Sequence, residues 1–158
     1  MSARPSDRKG ERSHSRRKRE HLEICLHEDV RSTISTGLED YRLIHRALPE
    51  MAFADVDTST EFLDRRLDAP LLISAMTGGT AEALALNRHL ASAAEGLGLA
   101  MGLGSQRAAI EEPALAETYR VREEAPSILL LANLGAVQLN YGYGAAECRE
   151  AVESAGAD

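Results

Sequence analysis

Three apolar runs in this chain each give way to a turn of glycines and small polar residues. Leu71 to Met76 (LLISAM) leads into Thr77-Gly-Gly-Thr80, Leu99 to Leu103 (LAMGL) into Gly104-Ser-Gln-Arg107, and Ile128 to Ala132 (ILLLA) into Asn133-Leu-Gly135. A segment with helical features follows each one. A strand buried on both faces reads as a continuous apolar run, and strands alternating with helices imply a parallel sheet. Ligands of such sheets sit at the carboxyl ends of the strands. The Gly, Ser, Thr, Asn, Gln and Arg at those ends are therefore candidate ligand contacts as well as turn formers.

The end of the chain carries the same rhythm. Gly142 to Ala155 reads as another helix, with Cys148, Ala151, Val152 and Ala155 on one face and Gly156 placed as its C-cap. A further strand is expected next, so the chain reads as the N-terminal piece of something longer. By length alone, 158 residues make about one domain. A closed eight-stranded α/β barrel takes roughly 250 residues, whereas a doubly wound sheet of four or five strands would fit.

No run of about 18 apolar residues is present, which gives no sign of a transmembrane helix. The basic N-terminus lacks the apolar segment of a secretory signal. The two cysteines, Cys25 and Cys148, fit neither a zinc spacing nor a disulfide framework, so a reducing cytoplasm is expected. The net charge of −7 hides an asymmetry. Residues 1–21 hold eight Lys or Arg against three Asp or Glu, a net +5, which leaves −12 on the rest. A basic arm on an acidic body points to an anionic partner, nucleic acid or a phosphorylated small molecule. Residues 1–15 are rich in Ser, Arg, Gly and Pro and have no large apolar residue after Met1, so a disordered basic tail is expected there.

A first helix is expected from Arg16 to about His27, with Leu22, Cys25 and Leu26 as its apolar stripe. Residues 38–57 read as irregular, anchored by Tyr41, Leu43, Ile44, Leu48, Met51, Phe53 and Val56, with Pro49 limiting helix. Thr60 to Leu67 reads as a hairpin with Asp64-Arg65 at its tip. Thr80 is a good N-cap for a helix whose apolar positions are Ala83, Leu86, Leu90, Ala94 and Leu97, ended by Gly96 or Gly98. Glu112-Pro113 starts the next helix, with proline at the first helical position and Leu115, Tyr119 and Arg122 on one face.

Four places can carry chemistry. Thr77-Gly-Gly-Thr80 lies between a strand and a helix start, where glycines allow close approach of backbone N–H groups and the helix adds partial positive charge. It matches neither the dinucleotide fingerprint nor the P-loop, and an ordinary turn fits it as well. Ser105, Gln106 and Arg107 offer a hydroxyl, an amide and a fixed cation in succession. Arg107 suits bidentate phosphate binding, or a salt bridge to Glu111 or Glu112. Asn133 can donate to and accept from a heterocycle edge, or cap its own turn. Arg17, Lys18 and His21 share a helix face and can converge on an anion, or be plain surface charge. His14, His27, His45 and His89 have no partner visible in the sequence and read as structural.

Taken together, RKREHL (17–22), APLLISAMTGGT (69–80), GLGSQRAAIE (102–111) and LLLANLGAVQL (129–139) resemble the N-terminal half of the type 2, FMN-dependent isopentenyl-diphosphate isomerases. The resemblance spans about residues 16–158 and rests on four ordered segments. It implies the N-terminal half of a TIM (β/α)8 barrel over residues 69–158, preceded by a basic arm and by a helix, irregular segment and hairpin over residues 16–68. It implies FMN, NADPH as flavin reductant, Mg²⁺, and a diphosphate substrate isomerised from isopentenyl to dimethylallyl form. It assigns Arg17, Lys18, His21, Ser105, Gln106 and Arg107 to the substrate, and Ser74, Ala75, Met76, Thr77, Ser105 and Asn133 to the flavin. The family's catalytic amide, its Mg²⁺ ligand and its FMN phosphate site lie past Asp158, so the chain alone is expected to be inactive. A homo-oligomer is expected of a longer parent. The family more often has glycine where this hairpin has Asp64.

Three rivals stand beside that reading. Another FMN-dependent barrel oxidoreductase, such as a 2-hydroxy-acid oxidase or inosine-monophosphate dehydrogenase relative, would not place an Arg-Lys-x-x-His helix before the barrel. A truncated non-catalytic product is the second. A nucleic-acid binder is the third, and it lacks stacking aromatics, with two Phe, four Tyr and no Trp. No nucleic-acid or membrane partner is expected.

Overall fold

A computed structural model describes the backbone of residues 7–158 and the side chains of residues 16–158. Helix α1 spans Asp7–His27, so it begins well before the expected Arg16. The start of the expected disordered tail, residues 1–6, lies outside the described residues. The polar composition of residues 7–15 reads as disorder, but extending a helix already nucleated downstream adds one hydrogen bond per residue fixed. The stripe expected to bury α1 does not. Leu22 is half-buried, Cys25 is exposed and Leu26 is 74% exposed.

Residues 28–59 hold only two short 3-10 turns, Leu38–Asp40 and Phe53–Asp55. Their apolar side chains, expected as anchors, anchor nothing among the described residues. Leu43 is 97%, Ile44 98% and Phe53 95% exposed. The hairpin follows, with β1 Thr60–Phe62 and β2 Arg65–Leu67 paired antiparallel. Its tip is Leu63-Asp64, one residue earlier than expected. Both residues are left-handed, at φ 50° and 58°, as a two-residue turn matched to strand twist requires. Asp tolerates that backbone better than Leu.

Three parallel strands then lie side by side in chain order. They are β3 Leu72–Ile73, β4 Ala100–Ser105 and β5 Leu130–Asn133. Parallel neighbours need crossovers, and helix-containing segments supply them. Helix α2 (Ala81–Leu97) connects β3 to β4, and α3 (Arg107–Glu111) with a 3-10 segment Pro113–Tyr119 connects β4 to β5. After β5 come a 3-10 segment, Ala136–Tyr141, and α4, Ala145–Ala155. Short α3 escaped the sequence reading, and the helix expected after Pro113 is 3-10.

The central strand meets the expectation best, since Ala100 to Gly104 are all buried. The first apolar run does not. Its strand is two residues long, and Leu71 and Leu72 are 59% and 42% exposed, because among the described residues β3 pairs only with β4.

Alternation along β4 and β5 divides the core. Met101, Leu103 and Leu130 point into the larger cluster, with Ala91 and Ala94 of α2, Tyr119, Val121, Ile128 and Ala155 of α4. Ala100 and Leu129 point the other way, onto Leu67 of the hairpin. The hairpin therefore closes the amino-terminal end of the sheet, and the Asp68 N–H donates to the Gly98 carbonyl at 2.9 Å. Helix α2 is capped as expected, with Thr80 Oγ1 accepting from the Ala83 N–H at 3.1 Å and Gly98 left-handed at φ 60°. Its buried face is Ala83, Asn87, Ala91 and Ala94. Leu86 and Leu97, expected there, are exposed, because small side chains let the helix sit close to the sheet.

Asp158 ties α4's end to β5. Its carboxylate accepts from the Leu130 N–H and from Arg122, both at 3.0 Å, and from Arg65, while its N–H donates to the Leu130 carbonyl at 2.9 Å. Burial pushes this carboxyl up, but the hydrogen bonds from Leu130, Arg122 and Arg65 outweigh it and hold the group below the ordinary aspartate value. A carboxyl depressed in the folded state contributes stability above its unfolded value, about 3.9, and loses it as pH falls through the folded value. Asp158→Asn is therefore expected to lower stability at neutral pH and to flatten the acid limb below about pH 4. Denaturant midpoints measured across pH check both effects.

Candidate functional site

The carboxyl ends of the three strands lie in a row. The Gly104 N–H donates to the Thr77 carbonyl at 3.2 Å, the Gln106 N–H donates to the Asn133 carbonyl at 2.8 Å, and Ser105 stands in register with Asn133. Residues 75–77 run closely against β4, and at position 104 only glycine fits. A Cβ on Gly104 would stand 2.3 Å from the Thr77 carbonyl oxygen, and one on Gly102 would stand 3.2 Å from the Ala75 nitrogen. From the other side, Asn87 of α2 donates from Nδ2 to the same Thr77 carbonyl at 3.0 Å. A buried polar side chain on a helix is stable when its hydrogen bonds are made, and Asn87 uses its bond to pin the turn.

On this rim, Ser74, Met76 and Asn133 are exposed, while Ala75, Thr77, Ser105 and Arg107 are half-buried. Gln106 is fully buried. Its Nε2 donates to the Gly104 carbonyl at 2.9 Å, and its Oε1 has no partner. Ser105 Oγ accepts from the Arg107 N–H at 3.4 Å. Arg107 pairs with Glu111 at 3.5 Å, which is the salt bridge weighed against phosphate binding in the sequence. Tyr143 Oη donates to the same Glu111 at 3.4 Å.

Helix α1 reaches this end through Lys18. Its Nζ donates to Tyr119 Oη at 2.6 Å and lies 5.2 Å from the centre of that ring. Tyr119 Oη in turn donates to the Ser105 carbonyl at 3.0 Å. Burial, then the charges of Arg17 and Arg107, bring the Lys18 ammonium down to about 8. Below about pH 8 the folded chain therefore carries an unfavourably held charge. The penalty is relieved as pH rises from there toward the unfolded lysine value of about 10.4. Burial pushes the Tyr119 phenol up to about 12, so it keeps its proton and accepts from Lys18 through a lone pair. Arg17 is exposed beside Lys18. His21 is exposed, and among the described residues no hydrogen bond or ion pair draws it into the group.

The Gly78-Gly79 turn serves the protein's own packing. A Cβ on Gly78 would stand 2.0 Å from the Tyr119 ring, and one on Gly79 would stand 2.8 Å from Lys18 Nζ. Gly79 is also left-handed at φ 80°, and its N–H donates to Thr118 Oγ1 at 3.1 Å. The space above the turn thus holds Tyr119 and Lys18.

Sequence reasoning missed Tyr119 and Asn87 as parts of this site. A tyrosine at the end of a proline-initiated segment was the available signal for the first, and a lone Asn on an apolar helix face for the second. Gly104→Ala is expected to destabilise the chain by about 1–3 kcal/mol, because a backbone oxygen, rather than a flexible side chain, blocks the new methyl. A thermal or denaturant unfolding curve measures it.

The sequence profile of a family described as FMN-dependent dehydrogenase matches residues 24–127. Among curated proteins, the chain is 52% identical over 143 residues to one from Nostoc sp., covering 90% of this chain and 41% of that protein. It is 50% identical over 143 residues to one from Rickettsia bellii, covering 90% and 42%. A third, from Synechococcus sp., is 53% identical over 149 residues, covering 94% and 43%. All three are named isopentenyl-diphosphate delta-isomerase. The chain spans about two fifths of the length of these relatives. With a matched region that runs through the hairpin, all of β3, β4 and Tyr119, the chain belongs to the FMN-dependent dehydrogenase family.

Proposed function

We propose that this chain is the N-terminal half of a TIM-barrel isomerase that interconverts isopentenyl and dimethylallyl diphosphate with reduced FMN. The observation that carries the reading is the gathering of Arg17, Lys18 and Arg107 at the carboxyl end of β4, where the charges of both arginines bear on Lys18. Like charges held together gain from a bound anion, and a diphosphate needs several cations. The relatives' names supply the substrate class. The parallel strands in chain order support a barrel half.

The rim fits a flavin. Exposed Met76 offers an apolar contact for a ring, the Asn133 amide can meet a heterocycle edge, and Ser74 and Thr77 add hydroxyls on either side of Met76 in the chain. Gln106 Oε1 is a buried acceptor still without a donor. Reduced FMN, when bound, supplies at least part of the proton transfer that shifts the double bond. The chain's own residues bind and orient. Arg107, Lys18 and Arg17 hold the diphosphate, with His21 nearby on α1. Ser105 accepts from the Arg107 N–H, which leaves its own hydroxyl proton for a ligand.

NADPH as reductant, Mg²⁺ and a homo-oligomeric parent belong to the same reading. Among the described residues no cluster of His, Cys, Asp or Glu is arranged to hold a metal. No described helix is long and apolar enough to cross a membrane, and Cys25 and Cys148 are free and exposed. We place the protein in the cytoplasm, where thiols stay reduced.

The full-length protein is expected to purify with flavin and to isomerise isopentenyl diphosphate only when that flavin is reduced. Turnover with oxidised flavin, or after FMN is stripped, overturns the reading. Arg107→Ala is expected to raise KM for the diphosphate roughly tenfold or more, the equivalent of about 1.5–3 kcal/mol for a lost charge-assisted contact, with kcat changed less. Steady-state kinetics at saturating reduced flavin separate the two constants.

A further inference from the structure

The 2.6 Å bond from Lys18 to Tyr119 joins residues 101 positions apart and brings a long, flexible cation from α1 to the end of β4. Lysine has four rotatable bonds, and ordering it is entropically unfavourable. Something must therefore hold the ammonium if it is to meet a ligand at a fixed place.

Tyr119 has the means. Its side chain is fully buried, so its own position is set by the core. Its single proton goes to the Ser105 carbonyl, which fixes the rotation of the hydroxyl and aims a lone pair at Lys18. The ammonium lies beyond the hydroxyl, 5.2 Å from the ring centre, so it is held by the oxygen and not by the face of the ring. The same contact to Ser105 ties Tyr119 to the strand end that carries Arg107. One acceptor satisfies one of the three ammonium N–H groups and leaves two for an anion. The charged groups around Lys18 are Arg17 on its own helix and Arg107 on α3, with Glu111 paired to Arg107.

We propose that Tyr119 is a positioning residue of the anion site: its hydroxyl holds the Lys18 ammonium beside Arg107, so that cations from two distant segments meet one diphosphate. The inference rests on the diphosphate reading above and adds to it a residue that acts through Lys18.

The test is a double-mutant cycle on the full chain, read by calorimetric titration with inorganic diphosphate. Tyr119→Phe keeps the ring and removes the hydroxyl. It is expected to weaken binding about tenfold where Lys18 is present, and to have no effect in a Lys18→Met background. Additive losses show that Tyr119 acts elsewhere and overturn the proposal. So does an unchanged affinity in Tyr119→Phe when Lys18→Met weakens binding. If Lys18→Met itself leaves affinity unchanged, the diphosphate reading falls and the positioning role falls with it.

A measurement on the unsubstituted chain decides the matter should the phenylalanine variant not fold. The Lys18 ε-methylene protons are expected to show NOEs to the Tyr119 ring protons beside the hydroxyl that persist when inorganic diphosphate is added. Loss of those NOEs on saturation means that Lys18 leaves Tyr119 to bind, and the positioning role is wrong.

Discussion

The ring of Tyr119 lies where it does because Gly78 has no side chain, and much of the structure follows from that contact. A methyl at Gly78 would overlap the ring at 2.0 Å. With the ring in place, Tyr119 fills the core beside Met101, Leu103 and Val121 and turns its hydroxyl toward the Ser105 carbonyl. One residue thus belongs to the hydrophobic core by its body and to the rim by its tip. Tyrosine suits this double position because a buried ring is strongly favourable and a buried hydroxyl must find a partner.

The second constraint is the spacing at the strand ends. Gly102 and Gly104 allow residues 75–77 to lie directly against β4, and Asn87 fixes the Thr77 carbonyl from α2. Close approach of this kind leaves the rim narrow, with the polar groups of three strands in line. A rim built from backbone contacts and buried amides is rigid, and rigidity lets a few side chains define a site. The apolar residues of segment 28–59 contribute nothing to it, since the largest of them stand in solvent.

Helix α1 is attached by chemistry unlike that of the other helices. Helices α2 and α4 bury alanine faces on the sheet. Among the described residues, helix α1 exposes most of its apolar side chains and touches the body through Lys18 on Tyr119 and through Arg19 near Glu82 at 3.6 Å. The second pair is exposed at both ends and weak by that fact. The described part of the attachment therefore rests on a cation brought among other cations, an arrangement that an anion would strengthen.

The amino-acid sequence by itself determined the alternation of strands and helices, the Thr80 and Gly98 caps, the hairpin, and the polar residues that end each strand. These are local properties: apolar runs, capping side chains and turn formers act over a few residues. The sequence also carried the cationic face of α1 and the choice between two partners for Arg107, without deciding between them. What only the tertiary structure decided depends on residues far apart in the chain. The glycines of the first turn make room for a tyrosine some forty positions later. The buried face of α2 runs through Asn87 rather than Leu86, and Asn87 is satisfied there by a carbonyl on another segment. The apolar run at Leu71 is only partly buried, because its burial depends on a neighbour and not on its own composition. Periodicity reports which residues can share a face, whereas the distances between segments determine what that face meets.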